Sequence, residues 1–376
     1  MLIAGASFRL YPQSTLADQI RAAQSSGNYA EAAKLYLELI AAGTDTPEVR
    51  SNYGVMLHLA GKNREAMDQF RVALRENAHL AGANLFAGVT ELDLGDPTLA
   101  LSYLKRAEEL DPSQPAPLLE MGKAYVALRN YGLANKSYSK AAALDTRLAQ
   151  AWYGVGVTDR SLAEELLNRA ARIGDKNGAS NKRVRQLLDD ALRALSRAIE
   201  LDPNSARTHL IMAESLADAG RFAEAAPEYE TAIKLDPQLE AAYLGLASQH
   251  WKQREFDQAI PPLKHVLLKS PKDPEANGMM ADILQHDGDD ANAKRYAEIA
   301  LAGNPDLIET RVVLARVYMA RRQPKQAIAE LQKVISADPD GSYHFLLYRA
   351  YRQAGNEKAA KTAMAEFQQL RNGNKQ

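Results

Sequence analysis

A 34-residue period runs through the chain and restricts what it can fold into more than any other feature. Ala32, Ala66, Ala100 and Ala134 stand 34 residues apart, each followed four positions later by a large apolar or aromatic residue. The series jumps, resumes at Ala191, Ala225, Ala259, Ala293 and Ala327, and closes at Ala360 after 33 residues, making ten units in 376 residues. Gly54, Gly88, Gly122 and Gly156 keep a second phase of the same step, continued by Ala213, Ala247, Ala281 and Ala315. Twelve residues after the anchors come Pro112, Pro203, Pro237, Pro271, Pro305 and Pro339. Proline has no amide donor and drives its predecessor out of helical geometry, so it ends a unit. Within a unit, Ile211, Met212, Leu216, Phe222, Ala225, Tyr229, Ala232 and Ile233 recur at helical spacing, with Gly220 at the turn between two helices. A helix pair this small cannot bury its own apolar face, so neighbouring pairs must stack on it. No strand-like alternation appears, and the fold class is all-α.

Several units carry a fuller pattern: Trp152 with Val155 and Gly156; Met121, Gly122 and Tyr125 with Ala134 and Tyr138; Ala66 with Phe70 and Ala73. Over about residues 13 to 371 the chain resembles the tetratricopeptide repeat (TPR) family. The resemblance implies a right-handed superhelical solenoid of antiparallel helix pairs, preceded by a short segment 1–12 that is poorly ordered. Turns are expected near Gly27, Gly61, Gly95, Arg129, Gly220, Arg254, Gly288, Arg322 and Gly355.

The jump between Ala134 and Ala191 adds 23 residues to one repeat. Helical spacing continues through Leu162, Leu166, Leu167, Ala170 and Ile173 and returns with Val184, Leu187, Leu188 and Leu192, so the fifth unit is expected to project as a helical hairpin over 163–185. Leu166, Leu167 and Ile173 would be covered by Val184, Leu187 and Leu188. Between Arg160 and Arg185 the basic residues are Arg160, Arg169, Arg172, Lys176, Lys182, Arg183 and Arg185, against Glu164, Glu165 and Asp175. The hairpin is either a solvated insertion or a contact surface for an acidic partner.

Charge and composition narrow the functional classes. Lys plus Arg (46) nearly cancels Asp plus Glu (47), which argues against nucleic acid or an anionic membrane as the partner of the whole molecule. No stretch approaches the ~20 apolar residues of a membrane-spanning helix, and the apolar run in Met1 to Tyr11 is too short for a signal-peptide core. The absence of cysteine excludes disulfides, thiol nucleophiles and thiolate metal sites, and leaves the compartment open. Linear signatures of hydrolases, zinc peptidases and phosphate-binding loops are missing. Gly154 and Gly156 lie inside a repeat helix and read as packing. Asp282 and His286, four apart, are too few to define a metal site. Asn135 begins a glycosylation triplet but falls within a helix. No enzyme activity and no cofactor is expected.

What remains is surface. The resemblance implies that the first helix of each pair lines a concave groove, which carries over to Val55 and His58, Leu85, Val89 and Leu92, Leu119, Lys123 and Val126, and Tyr153, Val157 and Arg160. In later units it carries over to Arg207, Trp251, Arg316 and Arg349. Trp152 is expected in the core and Trp251 in the groove, where its loss would barely affect stability. The family's carboxylate clamp is not reproduced, since its first position holds Ser51, Leu85, Leu119 or Tyr153. The asparagine ladder of glycosyltransferase-associated repeats is matched only at Asn52. The reading is a non-enzymatic scaffold that binds a peptide or partner helix. The alternatives are a subunit of an envelope or glycan biosynthesis complex, and a scaffold that binds further copies of itself.

Overall fold

The computed structural model describes residues 15–173, 178–338 and 340–373. Among these are twenty α-helices, a 3-10 turn at Ile335–Ala337 and no strand. The chain divides into two compact units, Met1–Asn204 and Ser205–Gln376. The first unit contains α1 (Leu16–Ser25), α2 (Tyr29–Ala41), α3 (Pro47–Leu59), α4 (Asn63–Glu76), α5 (Ala81–Asp93), α6 (Pro97–Leu110), α7 (Pro115–Ala127), α8 (Tyr131–Leu144), α9 (Ala149–Ile173) and α10 (Gly178–Leu201). The second contains α11 (Ala206–Asp218), α12 (Phe222–Leu235), α13 (Glu240–Lys252), α14 (Phe256–Lys269), α15 (Pro274–His286), α16 (Asp290–Gly303), α17 (Ile308–Ala320), α18 (Pro324–Val334), α19 (Ser342–Gln353) and α20 (Glu357–Gly373). Within each unit successive helices pack together, and odd-numbered helices from α3 onward also touch the next odd-numbered one, forming a continuous face.

The turn inside each ordinary pair is set by one residue in left-handed geometry. At Gly61 (φ +76°) the amide donates to the His58 carbonyl at 2.8 Å, and Lys62 N–H donates to the Leu57 carbonyl at 2.8 Å. These bonds satisfy carbonyls that the helix end would otherwise leave open. The anticipated turn residues all adopt positive φ, including Arg129 (54°), Arg254 (60°) and Arg322 (56°). The next residue often caps the following helix: Asn28, Asp96, Asn130, Asp289 and Asn356 each accept a bond from a first-turn amide.

Close approach within a pair rests on a small residue facing a large one. A methyl group added at Gly54, Gly88 or Gly122 would collide with Phe70, Leu104 or Tyr138, in each case sixteen residues downstream. Gly156 instead meets Leu195, thirty-nine residues downstream, and the difference equals the 23 residues inserted between them. The same side-chain contact is kept while α9 and α10 grow to 25 and 24 residues.

Replacing Arg129 by Gly should raise the stability of the first unit by about 1 kcal/mol. The left-handed penalty of an L side chain exceeds the entropy that glycine adds to the unfolded chain. A higher urea midpoint with an unchanged slope is the expected readout, and a lower midpoint would show that the arginine side chain contributes more than its backbone costs.

Candidate functional site

In the second unit the odd-helix face carries two neighbouring clefts. The first, about 220 Å³, is lined by Ser248 and Trp251 of α13, Glu275, Gly278, Met279 and Asp282 of α15, Leu307, and Glu309, Thr310 and Val313 of α17. Its lining holds three carboxylates and no cation. The second, about 510 Å³, is lined by Gln285 of α15, Arg316, Met319 and Ala320 of α17, and Leu346, Arg349 and Gln353 of α19. Its lining holds two guanidinium groups and no carboxylate.

Asp282 joins the two. One oxygen accepts the Trp251 indole N–H at 2.9 Å, and the other lies 3.9 Å from an Arg316 nitrogen. The carboxylate thereby fixes the plane of the indole and holds Arg316 at the border. Gly278 leaves room on the cleft floor, where a side chain would run into the Thr310 hydroxyl, 2.6 Å from an added methyl. His286, the other half of the sequence pair, lies against Phe256 and beside Asp287 instead of sharing a ligand with Asp282. Among the described residues no group of three or more His, Asp or Glu is placed to hold a metal ion.

Trp251 is half-buried and packs against the core cluster of Leu263, Val266, Met279 and Ile283. Its removal therefore costs packing, which corrects the expectation of a replacement that leaves stability almost unchanged. Trp152 is also only half-buried, with its indole N–H on the Thr146 carbonyl at 3.1 Å, so it closes a turn at the edge of the core rather than filling its centre. Arg207, Arg316 and Arg349 are exposed.

In the first unit several expected groove residues turn inward. Leu119 is 7% exposed and belongs to the core, a correction to its assignment as a ligand contact. Leu85, Leu92 and Val126 are half-buried against the same cluster, and Val55 against the one before it. Side chains at these positions lean onto the adjacent helix because the small residues beside them bring the helices close. Val89, Tyr153, Val157 and Arg160 are half-buried. His58 is tied between helices, with its Nδ1 3.1 Å from the Thr90 hydroxyl and its ring edge-on to Phe86. Lys123 is exposed and pairs with Glu120 at 2.7 Å.

The long helices α9 and α10 share a buried seam of Ala163, Val184, Leu187 and Leu188. Leu167 is 45% exposed, which corrects the expectation that it would be covered. The register that sets Gly156 against Leu195 brings Arg169 roughly level with Lys182. Arg169, Arg172, Lys182, Arg183 and Arg185 are all exposed, and the described residues 166–173 and 178–185 contain no carboxylate. Lys176 and the side chain of Ile173 lie outside the described residues. At the root of the seam Asp159 is buried, accepting from the Asn135 amide at 2.9 Å, while the same amide donates to Thr158 at 3.0 Å. Asn135 is thus occupied inside the fold. Burial pushes the Asp159 carboxyl up to about 6, helped by Asp190 and opposed by Arg183, Asn135 and Arg193.

Tetratricopeptide repeat models match residues 17–81, 81–114, 179–240, 216–283 and 284–350, together well over half of the sequence. The chain belongs to the tetratricopeptide repeat family, whose members generally serve as non-enzymatic protein-interaction scaffolds. It is 22% identical to TPR repeat-containing protein YpiA of Bacillus subtilis over 72% of this chain and 67% of that one. It is 25% identical to cellulose synthase 2 operon protein C of Komagataeibacter xylinus over 92% of this chain, but spans only 29% of that protein. Among solved structures, YrrB, described as a TPR protein with an unusual peptide-binding site, is 20% identical over 55% of this chain and 95% of its own, with a TM-score of 0.42. Among the described residues no helix is long and apolar enough to cross a membrane.

Asp159 generates a pH prediction. Its folded-state value lies above the ordinary ~3.9 of an aspartate, so the folded state binds this proton more tightly and the group's contribution weakens as pH rises from about 4 to about 6. Asp159→Asn should remove that decline, with an advantage over the wild type that grows across this window to about 1–3 kcal/mol at pH 7. Urea midpoints at pH 4, 5, 6 and 7 check it, and a constant offset at all four values would be the contrary result.

Proposed function

We propose that the odd-helix face of the second unit holds a peptide or partner helix, and that the protein works as a binding scaffold. The observation that carries this reading is the pair of contiguous clefts around Trp251, Asp282, Arg316 and Arg349. An indole fixed by its N–H bond offers a rigid apolar surface at low entropic cost, of the kind that anchors interfaces. The exposed arginines beside it offer forked donors for a carboxylate. Apolar side chains from a ligand would rest on the half-buried Leu307, Met319 and Leu346.

The distal hairpin supports a second contact. Its exposed guanidinium and ammonium groups outnumber the hairpin's carboxylates, and the exposed Leu167 adds apolar surface, a combination suited to an acidic protein segment. The relative named for a cellulose synthase operon favours one setting for such a scaffold, alongside an envelope or glycan biosynthesis machinery. Binding of further copies of the chain through either surface is the remaining setting, separable by light scattering.

The groove reading is tested with Trp251 as reporter. In a Trp152→Phe background Trp251 is the one remaining tryptophan of the chain. Synthetic twelve-residue peptides with leucine in an alanine–serine frame should change its emission saturably. Arg349→Ala should weaken carboxylate-bearing peptides about tenfold, as a charge-assisted bond of about 1.5 kcal/mol implies, without shifting the melting temperature. No emission change with any peptide would end this reading.

A further inference from the structure

The two clefts differ in sign. Glu275, Asp282 and Glu309 line one together with Trp251, and Arg316 and Arg349 line the other. Glu275 and Glu309 are exposed, so their charges face solvent and any ligand. Asp282 is already engaged by Trp251 and Arg316, which leaves the other two carboxylates, at the opposite end of the cleft, to meet an incoming cation. A cation is attracted there by the two exposed carboxylates.

From this charge separation, and resting on the groove reading above, we propose that the face selects a dipolar polypeptide segment. A lysine or arginine side chain enters the Trp251 cleft while a carboxylate on the same segment lies on Arg316 and Arg349. The spacing follows from helix geometry. From the Glu309 level to the Arg316 level is about two helical turns, about 10 Å, and stepping to the next odd-numbered helix adds about 10 Å across. The diagonal of about 14 Å corresponds to about four residues of extended chain. A free amino acid is too short to reach both ends. A uniformly acidic segment or a nucleic acid meets like charge in the first cleft, and a uniformly basic segment meets it in the second.

The test uses the full-length chain in the Trp152→Phe background and four acetylated, amidated twelve-residue peptides in one leucine-containing alanine–serine frame. They carry arginine then glutamate four residues apart, glutamate then arginine, two arginines, or two glutamates. One of the two dipolar orders should change Trp251 emission at least tenfold more tightly than either single-sign peptide, and the advantage should shrink as salt rises. Glu275→Lys combined with Glu309→Lys, both at exposed positions, should abolish that preference and favour the two-glutamate peptide, with helicity unchanged by circular dichroism. Equal binding of all four peptides would overturn the charge reading while the groove reading stands. Unaltered selectivity in the double variant would overturn it as well. No emission change with any of the four would overturn both.

Discussion

The contact that the rest of the structure depends on is a small residue on one helix meeting a large side chain on its partner. Gly54 against Phe70, Gly88 against Leu104 and Gly122 against Tyr138 set the separation within each pair. That separation sets which side chains are left at the odd-helix face. Leu119 is drawn into the core and Leu85 and Leu92 lean against it, while Trp251, Arg316 and Arg349 line the two clefts. The same contact tolerates insertion, because Gly156 still meets Leu195 after 23 additional residues have been carried outward along both helices.

A near-zero net charge conceals a segregated surface. The first cleft of the second unit is lined by carboxylates and no cation, the adjacent one by guanidinium groups and no carboxylate, and among the described residues 166–173 and 178–185 of the first unit's hairpin there are cations and no acid. Each is a local field that the whole-molecule balance averages away. Asp282 is the pivot of the two-cleft arrangement, since its two oxygens face an indole N–H and a guanidinium on neighbouring odd helices. Such a side chain orders the cleft walls without filling the clefts.

The repeat register, the helix pairs, the turn positions and the family were legible in the sequence because a 34-residue step constrains all of them together. Even the three arginine turns were legible, since the period placed Arg129, Arg254 and Arg322 where other units put glycine, and the same helix-ending backbone bonds accompany their left-handed geometry. The prolonged helices α9 and α10 were legible for the same reason, as apolar spacing continued past the place where a turn was due. Asp159 was not, because a single aspartate in a helix gives no sign that Asn135, Thr158 and Asp190 will surround it.

Sequence by itself determined which helix each side chain stands on and roughly which face it occupies, because helical phase is a local property. It did not determine how far each side chain is buried, which depends on how closely the next helix approaches. Hence Leu119 became core, Leu167 became surface, and Trp152 and Trp251, assigned opposite environments from the repeat pattern, are both half-buried at the edge of core clusters. Only the tertiary structure brought Trp251, Asp282 and Arg316 together, from three helices separated by more than sixty residues of chain, because stacking turns a repeat step in sequence into a single helix spacing in space.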